Sequence, residues 1–299
     1  MHARRSGVLA ALASLALASP LLAQQAYTIR IKEPGPNEGR AVGFSQSTVS
    51  STRLTAENGA VLLDQSRSLV YQASFRERVL QRRAGERKPT KLRRAYDKAV
   101  AIQDGREETL PYQGKTLTIE KNKSYTFKPD GGEALTGPAA LWLEREFNRG
   151  EVFDPQQLLL PKQPVRLNET WQLDLAGLAR DLETATGMQI DGKTSTGTGQ
   201  LTRVYQKEGR TFGVLTLKMD LPIRSVGQGK EAIRMNPGSR VVMEATLDVC
   251  IDGTSVAGTN RSTFTASFNS TVPTGDGKKA QLTGSIRGII QETRTDLKN

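Results

Sequence analysis

The 299-residue chain carries 42 Lys and Arg against 31 Asp and Glu, a formal charge of +11, with 36% hydrophobic residues and only 5% aromatic ones. A single His, His2, and a single Cys, Cys250, exclude a Ser-His-Asp triad, a Cys-His pair, an imidazole- or cysteine-rich metal site and an internal disulfide framework from any product that loses its first residues. The 28 Gly, beside abundant Thr and Ser, favour a turn-rich β protein.

The chain opens as a leader. Arg4 and Arg5 are basic, Val8 to Leu17 is apolar, and Leu21-Leu22-Ala23 precedes the polar Gln24-Gln25. That order is what the export machinery reads, and it predicts a signal peptide over 1–23. The apolar core is too short to cross a bilayer of ~30 Å, and no later segment reads as a membrane-spanning helix. The expected product is exported, periplasmic or extracellular, and soluble.

Residues 24–135 read as a β-rich portion. Tyr27 to Ile31 and Val42 to Leu54 are predicted strands, separated by Glu33-Pro34-Gly35-Pro36-Asn37. Asn58-Gly59 is a tight turn into Val61-Leu62-Leu63. Beyond it, Leu69, Tyr71, Ala73, Phe75 and Val79 fall mostly on a period of two. Gly85 to Pro89 is the turn and Leu92 to Ile102 the returning strand. This hairpin carries Arg76, Arg78, Arg82, Arg83, Arg87, Lys88, Lys91, Arg93, Arg94 and Lys98 against Glu77, Glu86 and Asp97. Such a stretch is a candidate patch for anionic polymers, or a solvated strand pair whose charges discourage edge association. Few aromatics interleave with the charges, which disfavours nucleic acid. A further hairpin joins Leu117-Ile119 to Tyr125-Phe127.

Residues 136–187 are predicted as a helical segment, with a short extended stretch near 161–173. Pro138 starts one helix through Phe147, and Asp154-Pro155 opens a turn that Pro161 stops. Asp174 caps another helix with Leu175, Leu178, Ala179 and Leu182 on one face and Gly187 at its end. Residues 188–299 return to strands. Val241, Met243, Ala245, Leu247, Val249 and Ile251 alternate with polar neighbours up to the Asp252-Gly253 turn. Phe264, Ala266 and Phe268 share a face, as do Leu282, Gly284, Ile286, Gly288 and Ile290.

Gly187 to Thr194 satisfies G-x-x-x-x-G-K-[ST], but a helix precedes it and a strand follows, the reverse of what phosphate cradling needs. Cys250, between Asp248 and Asp252, reads as structural. Asp191 and Asp276 read as turn residues rather than calcium ligands. Trp142 and Trp171 read as core anchors. No catalytic, cofactor-binding or metal residue is assigned.

The segment Leu160-Pro161-Lys162-Gln163-Pro164-Val165-Arg166-Leu167-Asn168-Glu169-Thr170-Trp171 resembles an LP-x-x-P-V-x-x-G-x-x-W element found in a group of secreted bacterial β-rich proteins. Thr211 to Leu221 and Leu110-Pro111-Tyr112-Gln113-Gly114-Lys115 are similar to that group as well. Asn168 stands where Gly is usual, and Asn tolerates a left-handed backbone. The resemblance implies compartment and architecture and carries no activity or cofactor.

The expected fold is mainly β with a few helices (α+β), antiparallel, in curved sheets around the central helical segment. A transmembrane β-barrel is the weaker rival, because aromatics for interfacial girdles are scarce. The expected function is non-catalytic: an envelope protein binding an apolar or lipid-like ligand or an envelope partner. The alternatives are a matrix protein holding anionic polymer through 76–98, and a His-free enzyme.

Overall fold

The structure, a computed structural model, describes residues 25–83, 86, 88–148, 158–227, 232–274 and 277–297. The leader, the Asp154-Pro155 turn, Gly85, Arg87 and Asp276 lie outside the described residues.

Alternating side chains write most of the strands. They are β1 (Ala26–Tyr27), β2 (Gly39–Ala56), β3 (Val61–Gln81), β4 (Lys91–Gln103), β5 (Arg106–Thr109), β6 (Thr116–Lys121) and β7 (Tyr125–Pro129) in the first half. The second half holds β8 (Val165–Arg166), β9 (Thr170–Gln172), β10 (Met188–Ile190), β11 (Thr196–Lys207), β12 (Arg210–Val226), β13 (Ile233–Arg234), β14 (Arg240–Cys250), β15 (Gly258–Pro273) and β16 (Lys279–Asp296). Along β12, Leu215, Leu217, Met219, Leu221 and Ile223 are buried, whereas Thr216, Lys218, Asp220 and Arg224 between them are more exposed.

All strands but β1 and β8 belong to one antiparallel 14-stranded sheet, in the order β7-β6-β4-β3-β2-β16-β15-β14-β12-β11-β9, with β5, β10 and β13 alongside. The sheet is open: β7 and β9 are its ends and do not pair with each other. The two halves of the chain meet where β2 pairs with β16 over its whole length, Arg40 with Asp296 at one end and Ala56 with Ala280 at the other.

Helices are few. A 3-10 turn at Gly137–Ala140 runs into α1 (Leu141–Phe147), and α2 covers Leu175–Thr186. The expectation of an α+β protein is therefore corrected to a nearly all-β one. Over 136–187 the chain spends its described residues partly on β8, β9 and the turn between them, because the Pro161 and Pro164 region cannot continue a helix. The caps of α2 follow the sequence reading. The Asp174 carboxylate accepts from Gly177 N–H at 3.1 Å, and Gly187 closes the helix at φ 70°.

Both helices lie on one face of the sheet, here called the inner face, at opposite ends. Trp142 of α1 stacks on Tyr71 of β3 at 4.6 Å, over a core that includes Phe75, Tyr96, Leu117, Ile119, Phe127 and Phe147. Leu175 and Leu178 of α2 join Trp171, Leu201, Leu215, Leu217, Met219 and Leu221. These two apolar clusters are separate.

Asn168, in the turn between β8 and β9, has φ 64°. Its N–H donates to the Leu201 carbonyl at 2.7 Å. An Asn168→Gly variant is expected to keep stability within about 0.5 kcal/mol. Asn168→Val, which disfavours that backbone, should cost roughly 1–2 kcal/mol in urea titration.

Candidate ligand-binding face

The register of the central strands fixes what lies between the two helix-covered ends. Residues opposite one another in an antiparallel pair point to the same face. Because Tyr71 meets α1, its partner Gln46 and then Ile290 also point inward. By the same register Leu54, Thr52, Ser50 and Thr48 of β2 face inward. So do Leu282, Gly284, Ile286 and Gly288 of β16, and Phe264, Ala266 and Phe268 of β15. The opposite face of β16 presents the exposed Gln281, Thr283, Arg287, Gln291 and Thr293, together with a half-buried Ser285 and an exposed Ile289.

Glycine shapes this floor. A Cβ on Gly288 would stand 2.3 Å from the Phe264 ring, and one on Gly284 would stand 2.2 Å from the Phe268 ring. Both rings therefore lie down over the glycines of the next strand. Together Leu282, Phe268, Ile286, Phe264 and Ile290 form an apolar strip along β16, every member half-buried. Beside it on β2 runs a polar row of Gln46, Thr48, Ser50 and Thr52, also half-buried.

At one end the inner face is occupied by charge. Arg94 of β4 is 2% exposed and donates through Nε and Nη2 to Glu77 at 2.9 and 2.7 Å, and through Nη1 and Nη2 to Glu146 of α1 at 2.9 and 2.8 Å. Its Nη1 also donates to the Tyr96 hydroxyl at 2.9 Å, and its guanidinium lies 3.9 Å from the Phe75 ring centre. Arg40 of β2 donates to the other Glu77 oxygen at 2.7 Å. The chain of alternating charges continues through Glu33, 3.8 Å from Arg40 and 4.0 Å from Arg294, to Glu292, 2.6 Å from Arg294.

Burial would raise the Glu77 carboxyl, but Arg94 and Arg40 outweigh it and hold the group at about 2. Burial opposes the charge of Arg94, and Glu146, Tyr96 and Glu77 more than offset that, keeping it protonated well above its ordinary range. The Tyr96 hydroxyl is pushed upward, mainly by burial.

The basic segment is divided by this register. Arg94 points inward into the ladder. Arg76, Arg78, Arg93 and Lys98 point outward, with Arg78 and Arg93 directly opposite each other. Like charges in that arrangement repel; Arg93 is bonded to Asp130 and Arg76 to Asp97, at 3.2 Å for the latter. Lys91 pairs with Glu120 at 3.1 Å, Arg83 approaches Glu86 at 3.8 Å, and Lys98 donates to Gln72 at 2.6 Å. Lys88 donates to the carbonyls of Glu146 and Phe147 at 2.6 and 2.9 Å, closing the C-terminus of α1. Arg82 is half-buried just past the end of β3.

The other sequence candidates sit in structural settings. The stretch 187–194 is the end of α2, then β10 and a turn, and strand β11 follows it. Asp191 accepts from Lys193 N–H and from Arg224, as a turn residue does. Cys250 is buried and its thiol donates to the Asp252 carboxylate at 3.0 Å. Trp171 is buried and its indole N–H donates to the Leu159 carbonyl at 2.9 Å. Tyr112 is fully buried, 3.4 Å from the Tyr71 hydroxyl, and Gly114 turns at φ 72°. An open cleft of about 500 Å³ lies between 160–165 and 169–174. Among the described residues no three His, Cys, Asp or Glu converge as a metal site, and no helix is long and apolar enough to cross a membrane.

No family model and no curated protein matches the chain. Among solved structures it is weakly similar to the outer membrane protease OmpT from Escherichia coli, at 9% identity and TM-score 0.21, over 89% of this chain and 98% of that one. An outer membrane channel from Pseudomonas putida F1 matches at 10% identity and TM-score 0.14, over 88% and 99%. The P. putida toluene transporter TodX matches at 8% and 0.18, over 90% and 94%. Likeness at these scores carries no argument about function.

Proposed function

We propose that the protein is an exported, non-catalytic component of the cell envelope that holds an elongated, largely apolar ligand along the inner face of its sheet. The observation that carries this reading is the strip Leu282, Phe268, Ile286, Phe264 and Ile290, half-buried between two helix-covered ends. A sheet of this many strands twists and curls, and that curvature would make a trough of the face between α1 and α2. The strip's large apolar side chains, continuous over five residues of one face, suit a surface that is covered in use, although Val49, Val242 and Ile289 also stand exposed on the outer face. The nearest-buried charges, Arg94 and Glu77, are spent on each other and on α1, which suits a structural role for them. The lack of any His beyond His2 supports a binding rather than a catalytic role.

Mass spectrometry of small molecules extracted from protein purified from its native host tests this. A co-purifying amphiphile or hydrocarbon is expected, and it should be depleted in an Ile286→Asp variant. Recovery of empty protein that turns over a substrate, with turnover lost on replacing one acidic or hydroxyl side chain, would overturn the reading.

A second reading assigns function to the outer face, where Arg76, Arg78 and Arg93 share one patch. It predicts salt-sensitive retention on heparin that falls when Arg78 and Arg93 become Gln. The same column should show no change with Ile286→Asp.

A further inference from the structure

We infer that the ligand of the inner face is an anionic single-chain amphiphile whose carboxylate sits at Arg67; this rests on the reading of that face as a binding surface. Arg67 stands opposite Ser50 in the β2–β3 register, between Leu69 and Gln65 on the inward parity. Three inward cations lie on β2, β3 and β16: Arg40, Arg67 and Arg294. Arg40 and Arg294 are held by Glu77, Glu33 and Glu292. Arg67 has no hydrogen-bond or ion-pair partner among the described residues. Its sequence neighbour Asp64 points to the other face, 3.9 Å from Arg53.

The row Arg67–Ser50–Ile286 runs straight across β3, β2 and β16. At a strand spacing of about 4.8 Å, the Arg67 backbone is roughly 10 Å from the apolar strip, within reach of its long side chain. From Leu282 to Ile290 that strip extends roughly 27 Å at about 3.3 Å per residue. It is bounded on the β2 side by Gln46, Thr48, Ser50 and Thr52 and interrupted on β15 by Ser262 and Ser270. That width suits one hydrocarbon chain rather than two. A lone guanidinium beside hydroxyls matches a singly charged, planar carboxylate, which it can grip bidentately. A phosphomonoester, near −2 at neutral pH, would call for further cations.

Calorimetric titration with dodecanoate, dodecyl phosphate and dodecyltrimethylammonium, each below its micelle concentration, tests the assignment. Dodecanoate is expected to bind at least tenfold more tightly than the cation. Arg67→Gln should abolish that preference by weakening dodecanoate and relieving the repulsion of the cation, and Ile286→Asp should weaken dodecanoate and dodecyl phosphate. Arg67 is exposed, so circular dichroism of Arg67→Gln should match the parent. If Arg67→Gln leaves dodecanoate binding intact, or dodecyl phosphate binds best, the carboxylate assignment is overturned and the inner-face reading stands. If none of the three binds, the inner-face reading itself fails.

Discussion

Arg94→Leu is expected to lower the thermal midpoint by about 10 °C. Removing the guanidinium leaves Glu77, 4% exposed, with Arg40 alone, and releases Glu146 of α1. Breaking a buried pair from one side costs about 3–5 kcal/mol, and a chain of this size loses roughly 2–4 °C per kcal/mol. Replacing both partners, Arg94→Met with Glu77→Leu, should recover part of the loss, because no buried carboxylate then lacks its partner; Glu146 is half-exposed and can turn to water. The same group sets an acid limit. The Glu77 carboxyl is depressed in the fold from 4.5 to about 2. Its contribution, ~3 kcal/mol, is therefore complete above pH 4.5 and is lost as pH falls from about 4.5 through about 2. Urea midpoints measured across that window should fall steeply in the parent and more gently in Glu77→Gln. An equal slope in both would show that the ladder does not govern acid stability.

Trp171→Ala should cost about 3–5 kcal/mol, through the cavity left among Leu173, Leu201 and their neighbours and the loss of the bond to Leu159. The indole lies flat on Gly199, where an added Cβ would come within 2.2 Å of the ring. Gly199→Ala alone must therefore displace Trp171 and is expected to destabilise by about 1–3 kcal/mol. Combined with Trp171→Ala, the glycine substitution should become nearly neutral, a coupling measurable by a double-mutant cycle in denaturant. Full additivity of the two losses would mean the ring does not occupy the space above Gly199. The same pair accounts for the stretch from Leu160 to Trp171, whose turn at Asn168 and whose Trp171 anchor seat one edge of the sheet.

Part of the inner face was visible in the order of residues. Phe264, Ala266 and Phe268, and Leu282 through Ile290, keep period-two spacing, so their common face follows from strand geometry alone. The charge ladder was also written there, as gaps. In the series Leu69, Tyr71, Ala73, Phe75, Val79 the missing inward member is Glu77, and Arg94 sits between Leu92 and Tyr96 on the inward parity of β4. Counting Arg94 with the surface cations of the segment 76–98 overlooked that parity. A charged residue in an apolar phase is the signal of a buried pair. Arg67 extends the same series by two residues, on the parity of Leu69 and Tyr71, but in a stretch of β3 exposed on both faces a cation reads as an ordinary surface charge.

By itself the sequence determined the alternation of most strands, the caps of α2 at Asp174 and Gly187, and a chain whose single His stands at position 2. Each of these depends on a residue and its near neighbours. Only the tertiary structure decided that β2 pairs with β16, bringing Ser51 and Ser285 within 3.0 Å across 234 positions, and that both helices cover the same face. Backbone hydrogen bonds between strands are the same for every residue type, so local pattern says which face is apolar but not which distant strand completes it. That pairing joins the two halves into one floor, and with it the apolar strip and Arg67 come to share a surface.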